Sequence, residues 1–153
     1  MEFDASLVAY CGLYCGDCHG FNGRIPDLAK DLRKELRMHR YDTFAEFISQ
    51  YSFGKDFKGY EDCYRVLGAM VRFRCRKGCR RGGGSPFCKI RICAQKRGFD
   101  GCWECVEFED CKKLEFLVPV HGDAHIKNLR KIKRKSIDNF VKGKTLWYSK
   151  IKS

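Results

Sequence analysis

Ten cysteines are the residues of this chain most able to do chemistry: Cys11, Cys15, Cys18, Cys75, Cys79, Cys88, Cys93, Cys102, Cys105 and Cys111. An eleventh, Cys63, stands alone. Two residues separate Cys15 from Cys18 and Cys102 from Cys105, three separate Cys75 from Cys79, and four separate Cys88 from Cys93. Such spacings bring thiolates together on one tight turn, and zinc takes four Cys or His ligands, commonly as two short-spaced pairs. Cys11 and Cys111 flank these pairs and can complete them. The set is large enough for one or two zinc ions, and that is the cofactor expected.

Which cysteines share a metal is not set by spacing. Sequential pairing puts Cys75, Cys79, Cys88 and Cys93 on one ion. Interleaved pairing joins Cys75 and Cys79 to Cys102 and Cys105, nearer the usual separation of two zinc-binding pairs, and the reading leans that way. An iron–sulfur cluster on four thiolates is the alternative cofactor. The trio Cys11-x3-Cys15-x2-Cys18 has the spacing by which radical S-adenosylmethionine enzymes hold a cluster, but the chain lacks the alternating strands and helices of their barrel. Cys63 lies among apolar residues and reads as a small core hydrophobe. His121 and His125, at i and i+4, read as exposed or capping residues, and His19 is a substitute ligand for its neighbour Cys18.

A length of 153 residues and an apolar share of 44% suit one globular domain. No apolar run is long enough to span a bilayer, so no membrane partner is expected. The first residues, Met1 to Asp4, carry acids where a secretory signal carries bases, which points to the cytoplasm. Stable disulfides are rare in that compartment, so the cysteines favour metal. The formal charge of +12 is partly offset by any four-thiolate zinc, which carries about −2.

The elements that must position the cysteines fall in four stretches. Residues 1–23 hold the N-terminal cysteines, with Phe3 to Tyr10 a candidate short strand. Residues 26–74 read as helical. Pro26 and Asp27 suit a first turn, and Leu28, Leu32 and Leu36 form a core stripe. Thr43 and Glu46 match a capping box, and Asp56 is a candidate cap for a third helix. Residues 75–111 are the cysteine-dense region, with a short helix from Lys89 to Lys96 and a flexible connector at Gly82 to Gly84. Residues 122–152 read as one or two basic helices, with Thr145 to Tyr148 a second candidate strand.

Residues 72–97 contain ten Lys or Arg and no acid, and residues 127–152 contain ten more against Asp138 alone. Two such basic patches suit a nucleic acid or a protein partner. No Ser/His/Asp set and no paired carboxylates are evident, so a binding module is expected ahead of an enzyme. The rival class is an iron–sulfur or thiol-based redox protein.

The string Val8-Ala-Tyr-Cys11-Gly-Leu-Tyr-Cys15-Gly-Asp-Cys18 resembles the opening of a cysteine-rich bacterial and archaeal family, domain of unknown function 3795. Phe87-Cys88-Lys-Ile-Arg-Ile-Cys93-Ala, then Cys102-x2-Cys105 and Cys111-Lys-Lys-Leu, resemble later elements of that family in the same order. The chain departs from the pattern in the longer Cys75-x3-Cys79 spacing, in Asp110 where proline is usual, and in Ser85 where relatives can carry cysteine. The resemblance implies a metal-binding role and no particular reaction. The fold expected is therefore a mainly α, small, cysteine-rich domain over residues 1–153, stabilised by metal through zinc-knuckle-like loops, with little or no β.

Overall fold

The structure is a computed structural model and describes residues 4–149. Phe3, at the start of the first candidate strand, and Lys150 and Lys152 of the second basic patch lie outside the described residues. The chain is mainly helical with almost no strand. Its helices are α1 (His19–Asn22), α2 (Arg24–Met38), α3 (Tyr41–Ile48), α4 (Tyr60–Arg72), α5 (Lys89–Lys96), α6 (Val118–His121), α7 (Ala124–Lys135) and α8 (Ile137–Lys142), joined by short 3-10 turns. Among the described residues, no helix is long and apolar enough to cross a membrane.

Two compact units are present: Met1–Asn22 with Arg76–Ser153, and Gly23–Cys75 between them. The first holds the main core. Tyr10 and Leu13 from the N-terminal loop pack with Ile90 and Ala94 of α5, Phe108, Leu114 and Leu129 of α7. A second cluster joins Val8 and Tyr14 to Ile132, Phe140 and Val141. The loop that carries Cys11 is closed by the Ala9 amide donating to the Leu13 carbonyl at 2.8 Å. Gly12 at its tip has φ 84°, and a Cβ there would stand 2.9 Å from Leu129. Any larger residue must both adopt left-handed backbone and displace a fully buried leucine.

Neither candidate strand forms. Asp4 caps a 3-10 turn at Ala5–Leu7 by accepting from the Ser6 amide, and beyond that turn a single bridge joins Val8 to Tyr14. At the other end, residues 145–149 pair with a side chain. The fully buried Asn128 donates to the Leu146 carbonyl at 2.7 Å and accepts from the Leu146 amide at 3.2 Å. One amide group thus supplies both bonds that a neighbouring strand would offer. The two C-terminal helices and the Lys89–Lys96 helix stand where expected.

The second unit pairs α2 with α4 through small residues and a stacked cation. Ala29 is buried, Arg33 lies over the Tyr64 ring at 4.4 Å, and a Cβ on buried Gly68 would meet Arg33 at 3.2 Å. Arg37 donates to the Tyr64 hydroxyl at 2.9 Å. The expected leucine stripe is not core: Leu28 is 52% and Leu32 48% exposed. Periodicity shows that these residues share a helix face; it does not supply a neighbour to cover that face. Cys63 is likewise exposed on α4, not buried.

The expected caps also shift. Arg40, in left-handed backbone at φ 51°, starts α3 at Tyr41, so Thr43 sits inside the helix and accepts from the Arg40 side chain. Asp56 falls within the 3-10 stretch Ser52–Gly59, and α4 begins at Tyr60. Pro26 and Asp27 do occupy the first turn of α2. With Ala29, Ala45 and Pro26 as its buried side chains among the described residues, this unit has little apolar burial to hold its helices. Amide hydrogen exchange by mass spectrometry is expected to be faster in α2 to α4 than in α5 and α7; equal protection would contradict this.

Candidate metal centre

The two C-x2-C pairs fold alike. Cys15–Asp17 and Cys102–Glu104 are three-residue 3-10 turns, each closed by the amide of the second cysteine donating to the carbonyl of the first, at 3.0 Å and 3.1 Å. Cys18 and Cys105 then leave in matching extended conformations, φ −74° ψ 124° and φ −78° ψ 132°. Each turn thus brings the two cysteines of its pair to its two ends. Cys111 ends a third such turn, Phe108–Asp110.

The described residues do not bring any three Cys, His, Asp or Glu side chains together as a ready-made ion site. They do bring thiols into two neighbourhoods. In one, the Cys79 amide donates to the Cys15 sulfur at 3.4 Å. Gly78, just before Cys79, adopts left-handed backbone at φ 70°, which favours glycine. Cys11 and Cys88 lie close enough to Cys79 for their charges to act on one another. Cys18 is half-buried one turn from Cys15. In the other neighbourhood, Cys93, Cys102, Cys105 and Cys111 line one cavity. Cys75 is the last residue of the second unit and Cys79 belongs to the first. Cys102 and Cys105 share one cavity with Cys93 and Cys111.

No disulfide joins any of the eleven cysteines. Burial pushes the Cys11 thiol well above the ordinary range, opposed by a hydrogen bond from the Leu13 backbone. Burial, reinforced by Cys111, Cys105 and Cys93, pushes Cys102 up to about 12. Cys79 is raised for the same first reason, with Cys88 adding to it. Thiols held neutral in this way are poor nucleophiles. A bound cation would reverse the preference, because it replaces the proton and neutralises the thiolate. The donor set thus fits a thiolate-bound metal. Cys11, Cys15, Cys18, Cys79 and Cys88 on one side and the 93–111 cysteines on the other would hold it.

Arginines of the first basic patch are built into this region. Arg91, only 7% exposed, donates to the carbonyls of Cys79, Gly83 and Ser85 at 3.1, 2.8 and 2.7 Å. The glycine loop is therefore a pinned connector, not a flexible one, and its carbonyls face a cation. Arg80 donates to the Val8 carbonyl at 2.7 Å, pairs with Asp100 at 2.9 Å, and covers the rings of Tyr10 and Trp103. It ties the N-terminal loop to the second C-x2-C turn. Nothing in the spacing of the sequence marked Arg80 or Arg91 apart from the other bases.

His121 and His125 are buried, not exposed. His121 Nδ1 is 2.8 Å from the Trp147 carbonyl, and its ring stacks on Tyr148. His125 is 1% exposed and its Nδ1 has no hydrogen-bond partner. Burial, with His121 adding to it, holds the His125 imidazole below its usual value. The unfolded chain then takes up this proton at a higher pH than the folded one, so stability is full above about pH 6.5 and falls as pH drops below it. A His125→Leu chain is expected to lose part of that slope in urea midpoints measured between about pH 7 and 5; an unchanged slope would contradict it. His19 is exposed at the start of α1.

On α7, Lys127 pairs with Asp123 at 2.8 Å and Arg130 forks onto Glu109, its Nε at 2.7 Å. Lys131 donates to the Lys144 carbonyl at 3.1 Å, and Lys133 lies over the Phe108 ring. Lys133, Arg134 and Lys135 remain exposed.

Compared with known proteins, the chain has no curated match and no solved structure that matches it. A family model does match, over residues 7–116, and its description is "Protein of unknown function (DUF3795)". That span takes in the N-terminal cysteine loop, the helical unit and every cysteine up to Cys111, so the chain belongs to the DUF3795 family.

Proposed function

We propose that this protein binds zinc through thiolates, one or two ions per chain, and that the metal is mainly structural. The observation that carries the reading is the pair of C-x2-C turns with one backbone geometry, each with a sulfur that accepts a hydrogen bond. Cys15 accepts from the Cys79 amide and Cys105 from Arg97 Nη1. Donors aimed at sulfur stabilise the thiolate form that a metal needs. Raised thiols at Cys11, Cys79 and Cys102 support a structural role over an activated redox thiolate, which requires a lowered one.

Purification without added metal and under exclusion of air is expected to give a colourless protein with stoichiometric zinc. A brown protein with matching iron would overturn zinc in favour of an iron–sulfur cluster.

A second reading is a phosphate-bearing partner, nucleic acid, at the end of α7, favoured by the consecutive exposed cations Lys133, Arg134 and Lys135. Replacing all three with Gln is expected to weaken binding to a generic duplex and to reduce the slope of log affinity against log salt by about 2 to 3. An unchanged slope, or no duplex binding at low salt, would overturn it.

A further inference from the structure

Cys93, Cys102, Cys105 and Cys111 line the wall of a single cavity of about 550 Å³. All four come from one short stretch of one unit, and Ile90, Phe108 and Leu114 back the space with apolar surface. We infer that these four cysteines form one self-contained metal centre, separate from the one served by Cys11, Cys15, Cys18, Cys79 and Cys88, with Arg97 as its built-in counter-charge. The inference rests on the metal-binding reading and adds which ligands share an ion.

The four ligands come from three pieces of local structure. Cys93 lies inside α5, Cys102 and Cys105 open and close one 3-10 turn, and Cys111 ends another. The turn at Cys102 is fixed to the N-terminal loop by its amide donating to the Tyr10 carbonyl at 2.8 Å. The sulfurs stand around the wall and do not yet converge, so binding draws them inward by side-chain rotation, each coordinated thiol giving up its proton to solvent. Four thiolates on a divalent ion leave about −2 in a half-apolar site. Arg97, one helical turn after Cys93, meets that charge: its Nη1 lies 3.5 Å from the Cys105 sulfur. Glu107, the acid nearest that guanidinium, is already taken up by it at 3.5 Å.

The test uses the native full-length protein with the metal it carries. A chelator is titrated in, metal per chain is measured, and iodoacetamide labelling at each cysteine is followed by mass spectrometry. Cys93, Cys102, Cys105 and Cys111 are expected to gain label together, in step with loss of about one ion per chain. Cys63, exposed on α4, labels from the outset. Label appearing at Cys102 and Cys105 in step with Cys79, and apart from Cys93 and Cys111, overturns this ligand set while metal binding itself stands. A native chain that carries no metal and labels freely at every one of these sites overturns both. Arg97→Gln is expected to release the ion of this centre about tenfold more readily, with Arg97→Lys closer to wild type; an unchanged release curve removes the counter-charge role.

Discussion

Stripping the metal from the native protein with a strong chelator is expected to abolish its cooperative melting transition. The apparent binding energy of a structural zinc held by thiolates is roughly 10 to 16 kcal/mol near neutral pH. The whole folding stability of a domain is about 5 to 15 kcal/mol, so the apo chain has little or nothing left. The loss has a local readout. Both tryptophans, Trp103 and Trp147, belong to the cysteine-bearing unit and pack against its core. Trp103 sits inside the Cys102–Glu104 turn itself. Tryptophan emission should therefore shift to that of exposed indole on chelation and return on adding zinc. A chelated protein that keeps its emission and its melting curve would show that packing alone holds this unit.

The second large effect is expected at Arg91. Its guanidinium is buried and spans three carbonyls on both sides of the glycine loop. Arg91→Ala leaves those carbonyls without their charged donor and opens space beneath α5. A hydrogen bond to a charged group contributes about 1.5 to 3 kcal/mol, and three that share one donor are not additive, so a loss of roughly 3 kcal/mol is expected. Arg91→Lys should recover less than half of it, because a single ammonium cannot fork to three acceptors. Urea midpoints of the metal-loaded protein give the comparison. A shift within about 0.5 kcal/mol, typical of a surface position, would contradict the buried-clamp role.

Arg91 also shows where sequence reading reaches its limit. The helix that carries it was legible from Lys89 to Lys96, since apolar spacing and a following glycine mark its ends. That one of ten bases in the patch should be buried depends on carbonyls supplied by a loop six to twelve residues away, which no local pattern records. The tight turns at the two C-x2-C pairs were legible for the opposite reason: each is local, closed by one backbone hydrogen bond between its two cysteines. The cavity that Cys93, Cys102, Cys105 and Cys111 share was not, because tertiary packing of α5 and the later turns forms it.

The helical stretch repeats the lesson. Leu28, Leu32 and the aromatic residues near Phe44 have the period of a buried face, yet the contact between α2 and α4 runs through Ala29, Gly68 and the Arg33–Tyr64 stack. Small residues let backbones approach, and the larger side chains are left outside. Cys63 obeys the same arrangement. It lies at helical spacing from Tyr60, Leu67 and Met70, but α4 leaves it exposed.

The order in which the ribosome makes this chain gives its main core an unusual timetable. Tyr10 and Leu13 emerge long before their partner Leu129, with the whole second unit synthesised between them. At about 5 to 20 residues per second, the N-terminal loop waits roughly 6 to 25 seconds before α7 exists to cover it. Throughout that interval Cys11, Cys15 and Cys18 travel on a nascent chain without their core. Oxidants and stray metals therefore meet these thiols first during translation, and chains released early, before residue 129, are the population most exposed to both.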